Sequence, residues 1–155
     1  MHALNADTRA FVEQMGLLTD GAGGARTLGR LLGLLLVAEE PLSLDDLAAL
    51  LQVSKASIST NARLCRQVGL AHRVSKPGDR RDYYEISPGS FGRMLENRVS
   101  VIQDMIQLAE SGLRAIGADN PLARARLEEM RDFYTFVGVE MKSVIAHWNQ
   151  QRAVR

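Results

Sequence analysis

The chain has 155 residues, of which 46% are hydrophobic and 24% are charged, and its formal net charge is +1. This composition is ordinary for a globular protein, so we expect a buried core and exclude wholesale disorder. Cys65 is the one cysteine, which excludes an internal disulfide and a multi-cysteine zinc site and fits a reducing cytoplasm. No apolar run reaches the ~20 residues of a membrane span, and the N-terminus lacks a secretion-signal pattern. We therefore expect a cytoplasmic protein with no membrane partner.

The basic residues are concentrated in one stretch. Between Ser54 and Arg81, seven basic residues stand against a single acid, Asp79, which gives this stretch a charge of +6. The remainder has 12 basic and 17 acidic residues and a charge of −5. No carboxylate lies between Asp46 and Asp79. Because the net charge hides this distribution, the sequence indicates a surface for an anionic partner in a nearly neutral chain.

The first two helices are predicted from apolar spacing and from residues that end helices. One begins after Asn5, a suitable cap, and ends at the glycine-rich stretch TDGAGGAR. A leucine-rich helix then covers residues 26 to about 40 and is ended by Pro41. This helix has almost no polar face, so we expect neighbours around it, with Gly29 and Gly33 allowing one a close approach.

The next two helices carry clear start signals. Ser43 is a predicted N-cap with Asp46 three residues later, which resembles a capping box. Ser54 is a second N-cap, and its helix runs to about Val68, with Gly69 where a left-handed C-terminal cap is needed. Two capped helices joined by a turn of about four residues have the spacing of a helix-turn-helix.

The pattern changes after residue 69. LAHRVSK and DYYEIS are predicted as two short strands, with PGDRR as the turn of a hairpin. Two long helices follow, broken by GADNP. From Phe91 to Ile116 and from Leu127 to Trp148, apolar residues recur at alternating steps of three and four, which predicts narrow coiled-coil seams. We expect these seams to form a homodimer; the alternative is that the two helices pack only on each other within one chain.

The helix that begins at Ser54 has one apolar side and one small, polar side. On a helical wheel Ile58, Ala62 and Cys65, joined by Val68, share the side that faces the leucine-rich helix. The second helix of a helix-turn-helix reads base edges in the major groove, so we predict that the other side contacts double-stranded DNA. The predicted contacts on this helix are Ser54, Lys55, Ser57, Ser59, Thr60, Asn61, Arg63 and Arg66.

The predicted hairpin extends the same basic surface. Lys76, Arg80 and Arg81 lie at or beside its turn, where they would enter an adjacent minor groove or follow its phosphates. This is the geometry of a winged helix. The alternatives are a solvated basic loop for the hairpin and an ordinary surface helix for the helix before it.

Three segments carry a resemblance to a known family. RTLGRLLGLLL, SKASIS followed by Asn61 and Arg63, and GDRRDYYE together resemble the MarR superfamily of bacterial winged-helix repressors, in the branch named for the glycine-betaine synthesis regulator. The resemblance covers roughly residues 24–86 and implies a homodimeric regulator that binds an operator and is often released by a small ligand. The chain departs from the branch at Ala25, Ala56, Ala62 and Cys65. The smaller residues in the second helix affect its expected packing more than its role.

The sequence therefore predicts a mainly α protein with a small β-hairpin wing, a winged helix-turn-helix with long N- and C-terminal dimerisation helices. Residues 1–20 form the N-terminal dimerisation helix, 25–87 the DNA-binding domain, and 88–155 a helical dimerisation and candidate effector region. The predicted function is sequence-specific transcriptional regulation, as a repressor on a palindromic operator. The alternatives are a winged-helix protein-interaction module without DNA readout and a protein that binds double-stranded RNA.

Four aromatic residues of the last helix are candidate effector contacts: Phe133, Tyr134, Phe136 and Trp148. Such residues form a cage around cationic ligands such as quaternary amines, although core or dimer packing is the alternative.

The inward place of Cys65 favours a core role over a redox switch. No phosphate-binding loop, nucleophile elbow or paired-histidine motif is present, so we expect no enzymatic activity, cofactor or metal.

Overall fold

The structure is a computed structural model that describes residues 4–116 and 120–153. The chain divides into two compact units, the first ending at Ser90 and the second beginning at Phe91. The elements are α1 (Ala6–Gly21), α2 (Arg26–Val37), β1 (Leu42–Ser43), α3 (Leu44–Leu51), α4 (Lys55–Gln67), β2 (His72–Val74), β3 (Tyr83–Glu85), α5 (Ser90–Ala115) and α6 (Pro121–Ala153). The mainly helical fold with a winged helix-turn-helix is thus confirmed.

Helices α1 and α2 approach each other closely at the glycines of α2. A Cβ atom built on Gly29 would overlap the backbone oxygen of Met15 and the hydroxyl of Thr19, and one on Gly33 would lie 3.1 Å from the Met15 side chain. This confirms the predicted close approach. The carboxylate of Glu13 joins the same two helices, because it pairs with Arg30 at 2.8 Å.

The core of the first unit lies between α2, α3 and α4. Its completely or nearly completely buried apolar residues are Val12, Leu31, Leu34, Leu35, Leu47, Leu51, Ile58, Ala62, Cys65, Ala71 and Tyr84. The leucine-rich helix is not surrounded on every side as its composition predicts, since Leu36 and Val37 each remain 38% exposed. Helix α2 therefore keeps one side open near its C-terminal end.

Local hydrogen bonds begin α3 and α4 where the sequence predicts. The Ser43 hydroxyl accepts from the backbone N–H of Asp46, and the Asp46 carboxylate accepts from the backbone N–H of Ser43, which completes a capping box. The Ser54 hydroxyl accepts from the backbone N–H of Ser57 at 3.2 Å and begins α4. Helix α3 ends at Gln52, whose φ of 54° lies in the left-handed region.

The wing is part of a three-stranded antiparallel sheet with the order β1, β3, β2. Strands β2 and β3 form the predicted hairpin, with Val74 opposite Tyr83. The sequence does not predict β1, which pairs Leu42 and Ser43 with β3. A strand of two residues is too short to show the alternation of apolar and polar residues by which strands are predicted, so the position of β1 depends on its pairing with β3.

In the second unit, α5 and α6 form an antiparallel hairpin. A Cβ built on Gly112 would lie 3.0 Å from Leu127, and one on Gly138 would lie 3.2 Å from Ile102. Toward the other end, a Cβ on Gly92 would lie 3.3 Å from the indole nitrogen of Trp148. Three residues of the predicted seams, Ile102, Leu127 and Trp148, therefore contact the other helix of the same chain. The large apolar residues left exposed are Phe91, Val101, Leu108, Leu122, Phe133, Phe136, Val139, Val144 and Trp148.

Candidate nucleic-acid interface

Helix α4 buries the side that its sequence predicts. Ile58, Ala62 and Cys65 are each 0% exposed and face the core of the first unit. Val68, predicted to share this side, is 41% exposed because α4 ends at Gln67 and Val68 follows it as the C-cap. Leu64 lies on the outer side of α4 and stays 41% exposed.

The outer side of α4 carries a row of exposed residues spaced by whole turns. Ala56, Thr60, Arg63 and Gln67 are exposed and recur at steps of four, three and four residues, so they share one helix face. Lys55 and Arg66 are also exposed, on the flank, whereas Ser57 and Ser59 are half-buried. The row gives a surface of small side chains at the N-terminal end and of long polar side chains toward the C-terminal end.

One predicted contact, Asn61, is largely buried in the structure. Its side chain is only 7% exposed, and its amide nitrogen donates to the backbone oxygen of Ser57 at 2.8 Å. Asparagine competes readily for local backbone groups, and here it bonds to the carbonyl one turn earlier. Asn61 is therefore less accessible to DNA than the exposed row of α4, and its contact with DNA stays a prediction.

Four of the seven basic residues of the stretch form ion pairs, with acids inside, beside and outside the stretch. Lys55 lies 2.7 Å from Asp45, and Lys76 lies 3.4 Å from Glu40. Two further pairs join Arg73 with Asp82 and Arg81 with Asp79. Such exposed pairs contribute only about 0–1 kcal/mol, so phosphates can replace their acidic partners. Within residues 4–116 and 120–153, the cations of this stretch without an ion pair are Arg63, Arg66 and Arg80.

The turn of the wing is held by a polar cluster around Tyr83. The Asp79 carboxylate accepts from the Arg81 guanidinium and from the Tyr83 hydroxyl, both at 2.6 Å. The hydrogen bond from Arg81, followed by that from Tyr83, holds the pKa of Asp79 well below its usual range. The Lys76 ammonium lies 4.6 Å from the centre of the Tyr83 ring, a cation–π contact. Tyr83 organises the wing, a role that sequence analysis missed because it depends on the fold of the turn.

Cys65 has the properties of a core residue. Burial raises the pKa of its thiol to about 12, so the reactive thiolate is scarce at neutral pH.

No group of three or more histidine, cysteine or acidic residues suited to a metal ion is found in the part of the chain that the structure describes. No described helix is both long and apolar enough to cross a membrane.

The four candidate effector contacts do not converge within one chain. Phe133 and Phe136 are 58% and 65% exposed, and the Phe133 ring meets that of Tyr134 edge to face, with 5.3 Å between centroids. Trp148 lies twelve residues beyond Phe136 on the same helix, about 18 Å along its axis. All four therefore cannot surround one small ligand in a single chain, and a site made by the first three stays a prediction.

The comparisons with known proteins agree with this architecture. A family model described as MmpR5-like MarR family transcriptional regulator matches residues 89–151, and a MarR family model matches residues 28–82. The HTH-type transcriptional regulator MmpR5 of Mycobacterium tuberculosis is 37% identical over 146 residues, which cover 94% of this chain and 88% of that protein. A crystal structure of a transcriptional regulator, 37% identical, has a TM-score of 0.85 and covers 93% of this chain and 99% of its own. The chain belongs to the MmpR5-like MarR family of transcriptional regulators.

Proposed function

We propose that the chain is a sequence-specific DNA-binding repressor that acts as a homodimer on a palindromic operator. Helix α4 enters the major groove, and the β2–β3 wing lies along neighbouring phosphates or in the minor groove. The observation that carries this proposal is the outer row of α4, where exposed Arg63 stands among small side chains and α4 itself has no acidic residue. Membership of a family of transcriptional regulators supports it.

The unpaired cations favour DNA over a protein partner. Arg66 lies on the flank of α4 and Arg80 at the wing turn, where each is exposed and suited to a phosphate. A protein-interaction module has no need for an acid-free recognition helix beside a basic wing. Double-stranded RNA is disfavoured, because its narrow major groove excludes the side chains of a helix.

The exposed apolar residues of the second unit support a homodimer. Leu108, Phe136 and Val139 are each more than 60% exposed, and monomeric proteins seldom leave many large apolar side chains in water. A twofold dimer would cover them and present two copies of α4 to successive major grooves. The dimerisation role of residues 1–20 and 88–155 belongs to this proposal, as does action in the cytoplasm.

Two expectations stay predictions: that a small ligand releases the protein from its operator, and that the chain falls in the glycine-betaine branch of the MarR superfamily. Besides the aromatic residues of α6, the first unit has a groove of about 510 Å³, with both apolar and acidic residues in its lining, that is large enough for a small effector. It is lined by Leu4, Asn5, Thr8, Leu34, Val37, Ala38, Glu39, Glu40, Leu42 and Leu50.

Selection of bound duplexes from a random pool tests the proposed function. We expect an inverted repeat with half-sites about one helical turn apart, because a twofold dimer imposes its symmetry on the operator. Affinity for this duplex should fall steeply with salt as phosphate contacts release counterions, and an RNA duplex should compete poorly. No enrichment, combined with no salt-sensitive binding at low ionic strength, would favour the protein-interaction module.

The wing is expected to contribute through Arg80 more than through Arg81. Arg80→Ala should weaken binding to all duplexes alike and lower the salt slope by about one per wing, the effect of losing one phosphate contact. The matched control is Asp79→Asn with Arg81→Gln, which removes both charges of the internal ion pair and keeps polar side chains beside Tyr83, and it should leave the slope near that of the wild type. The measurement is affinity against salt concentration. An equal fall in slope for both variants would show that Arg81 also leaves Asp79 to contact phosphate.

A further inference from the structure

The N-terminal half of α4 presents methyl groups on its outer side. Ala56 and Thr60 are exposed and lie four residues apart, so their side chains are neighbours on one face. The Thr60 hydroxyl donates to the backbone oxygen of Ala56 at 3.1 Å, which commits its hydrogen to the helix. The γ-methyl of Thr60 and the β-methyl of Ala56 then form an apolar strip, which we call the methyl strip.

Several polar groups next to the methyl strip have partners within the chain. The Asn61 amide is buried and donates to the backbone oxygen of Ser57. The Ser54 hydroxyl accepts from the N–H of Ser57 as the helix cap, and Lys55 pairs with Asp45 at 2.7 Å. Ala56 and Thr60 are therefore suited to apolar contact with a base more than to donating a hydrogen bond to it.

The major groove offers one apolar group to such a surface, the C5-methyl of thymine, and alanine and threonine methyl groups are suited to contact it. Arg63 lies three residues beyond Thr60 on the same face, about 4.5 Å along the helix axis. Arginine pairs with the O6 and N7 atoms of guanine through two hydrogen bonds. Since base pairs are about 3.4 Å apart, a guanine contact falls within about two base pairs of the methyl strip.

We infer that this chain reads its operator through thymine methyl groups at Ala56 and Thr60 and through a guanine at Arg63. Each half-site then contains a thymine about one or two base pairs from the guanine. The inference rests on the proposed function and assigns the chemistry of its specificity.

Deoxyuridine provides the test, because it differs from thymidine only in lacking the C5-methyl. In the operator obtained by selection, each thymidine of one half-site is replaced in turn, and affinity is measured by fluorescence anisotropy. Replacement at the thymine that faces the methyl strip should weaken binding about fourfold, the factor for about 0.8 kcal/mol per buried carbon group. Replacement at the outer positions of the same half-site should leave affinity unchanged.

A matched pair of variants assigns the contact to Thr60. Thr60→Ser keeps the hydroxyl and removes the methyl, so it should weaken binding to the thymidine operator and lose sensitivity to deoxyuridine at that position. Thr60→Val keeps a methyl in the same place and removes the hydroxyl, so it should retain both affinity and the preference for thymidine. Circular dichroism confirms that both variants fold.

Two results would overturn the inference while leaving the proposed function intact. One is tight, salt-sensitive operator binding that tolerates deoxyuridine at every position. The other is loss of affinity in Thr60→Val with retention in Thr60→Ser, which would show that the hydroxyl reads the base. Absence of duplex binding altogether would overturn the inference and the proposed function together.

Discussion

Arg63→Glu is expected to lower affinity for the selected operator by about 100-fold or more without unfolding the protein. Arg63 is exposed in the outer row of α4, while Ile58 and Cys65 hold the opposite side in the core. An arginine–guanine pair gives about 1–3 kcal/mol of discrimination, and a homodimer makes two such contacts. A carboxylate at the same place also repels the DNA phosphates.

The measurement is fluorescence anisotropy of a labelled operator at low salt, with circular dichroism and thermal melting to verify folding. Arg126→Glu is the control, since Arg126 is exposed on α6 and its replacement changes the net charge equally. A free-energy change of 1.4 kcal/mol lowers affinity tenfold. If Arg63→Glu bound the operator within about threefold of the wild-type affinity, this would count against α4 as the recognition helix.

Gly29→Ala is expected to destabilise the first unit by about 1–2 kcal/mol. A Cβ at this position would overlap the backbone oxygen of Met15 and would lie 2.7 Å from the Thr19 Cβ, so α1 and α2 must separate to admit it. Overpacking of this kind costs about 1–3 kcal/mol and more where backbone must move, which outweighs the gain of about 1 kcal/mol from replacing a helical glycine.

Urea unfolding at one fixed protein concentration measures this change in stability. Gly21→Ala is the matched control, because Gly21 is the last residue of α1 and a Cβ there would meet nothing within 4 Å. We expect the control to equal the wild type or to exceed it by up to about 1 kcal/mol. An unchanged unfolding midpoint in Gly29→Ala would show that the two helices are not held at this distance.

The helices and the buried side of α4 could be predicted because their signals are local. Ser43 and Ser54 cap helices through bonds that span three residues, and no distant group takes part. Ile58 and Cys65 are placed by helical periodicity once α4 exists. The wing turn could likewise be predicted from its glycine, proline and charged residues.

The sequence was least informative about residues whose environment depends on more than their own helix. Asn61 was predicted to face DNA from its polarity, but it is buried and satisfied by a backbone carbonyl. The 3,4 spacing of α5 and α6 indicates a seam without naming the partner, and in the structure Leu127 and Trp148 contact the other helix of the same chain. Periodicity shows which side is apolar and leaves open what covers it.

By itself, the sequence determined where helices begin, which side of α4 is buried and where positive charge accumulates, because these depend on neighbours within a few residues. Only the tertiary structure decided which cations are unpaired. Lys76 meets Glu40, 36 residues away, so this partner of the acid-free stretch comes from a distant segment. Ion pairs depend on distance in space. Lys55 is paired because the fold brings Asp45 beside it, and this pairing distinguishes Lys55 from the unpaired Arg63.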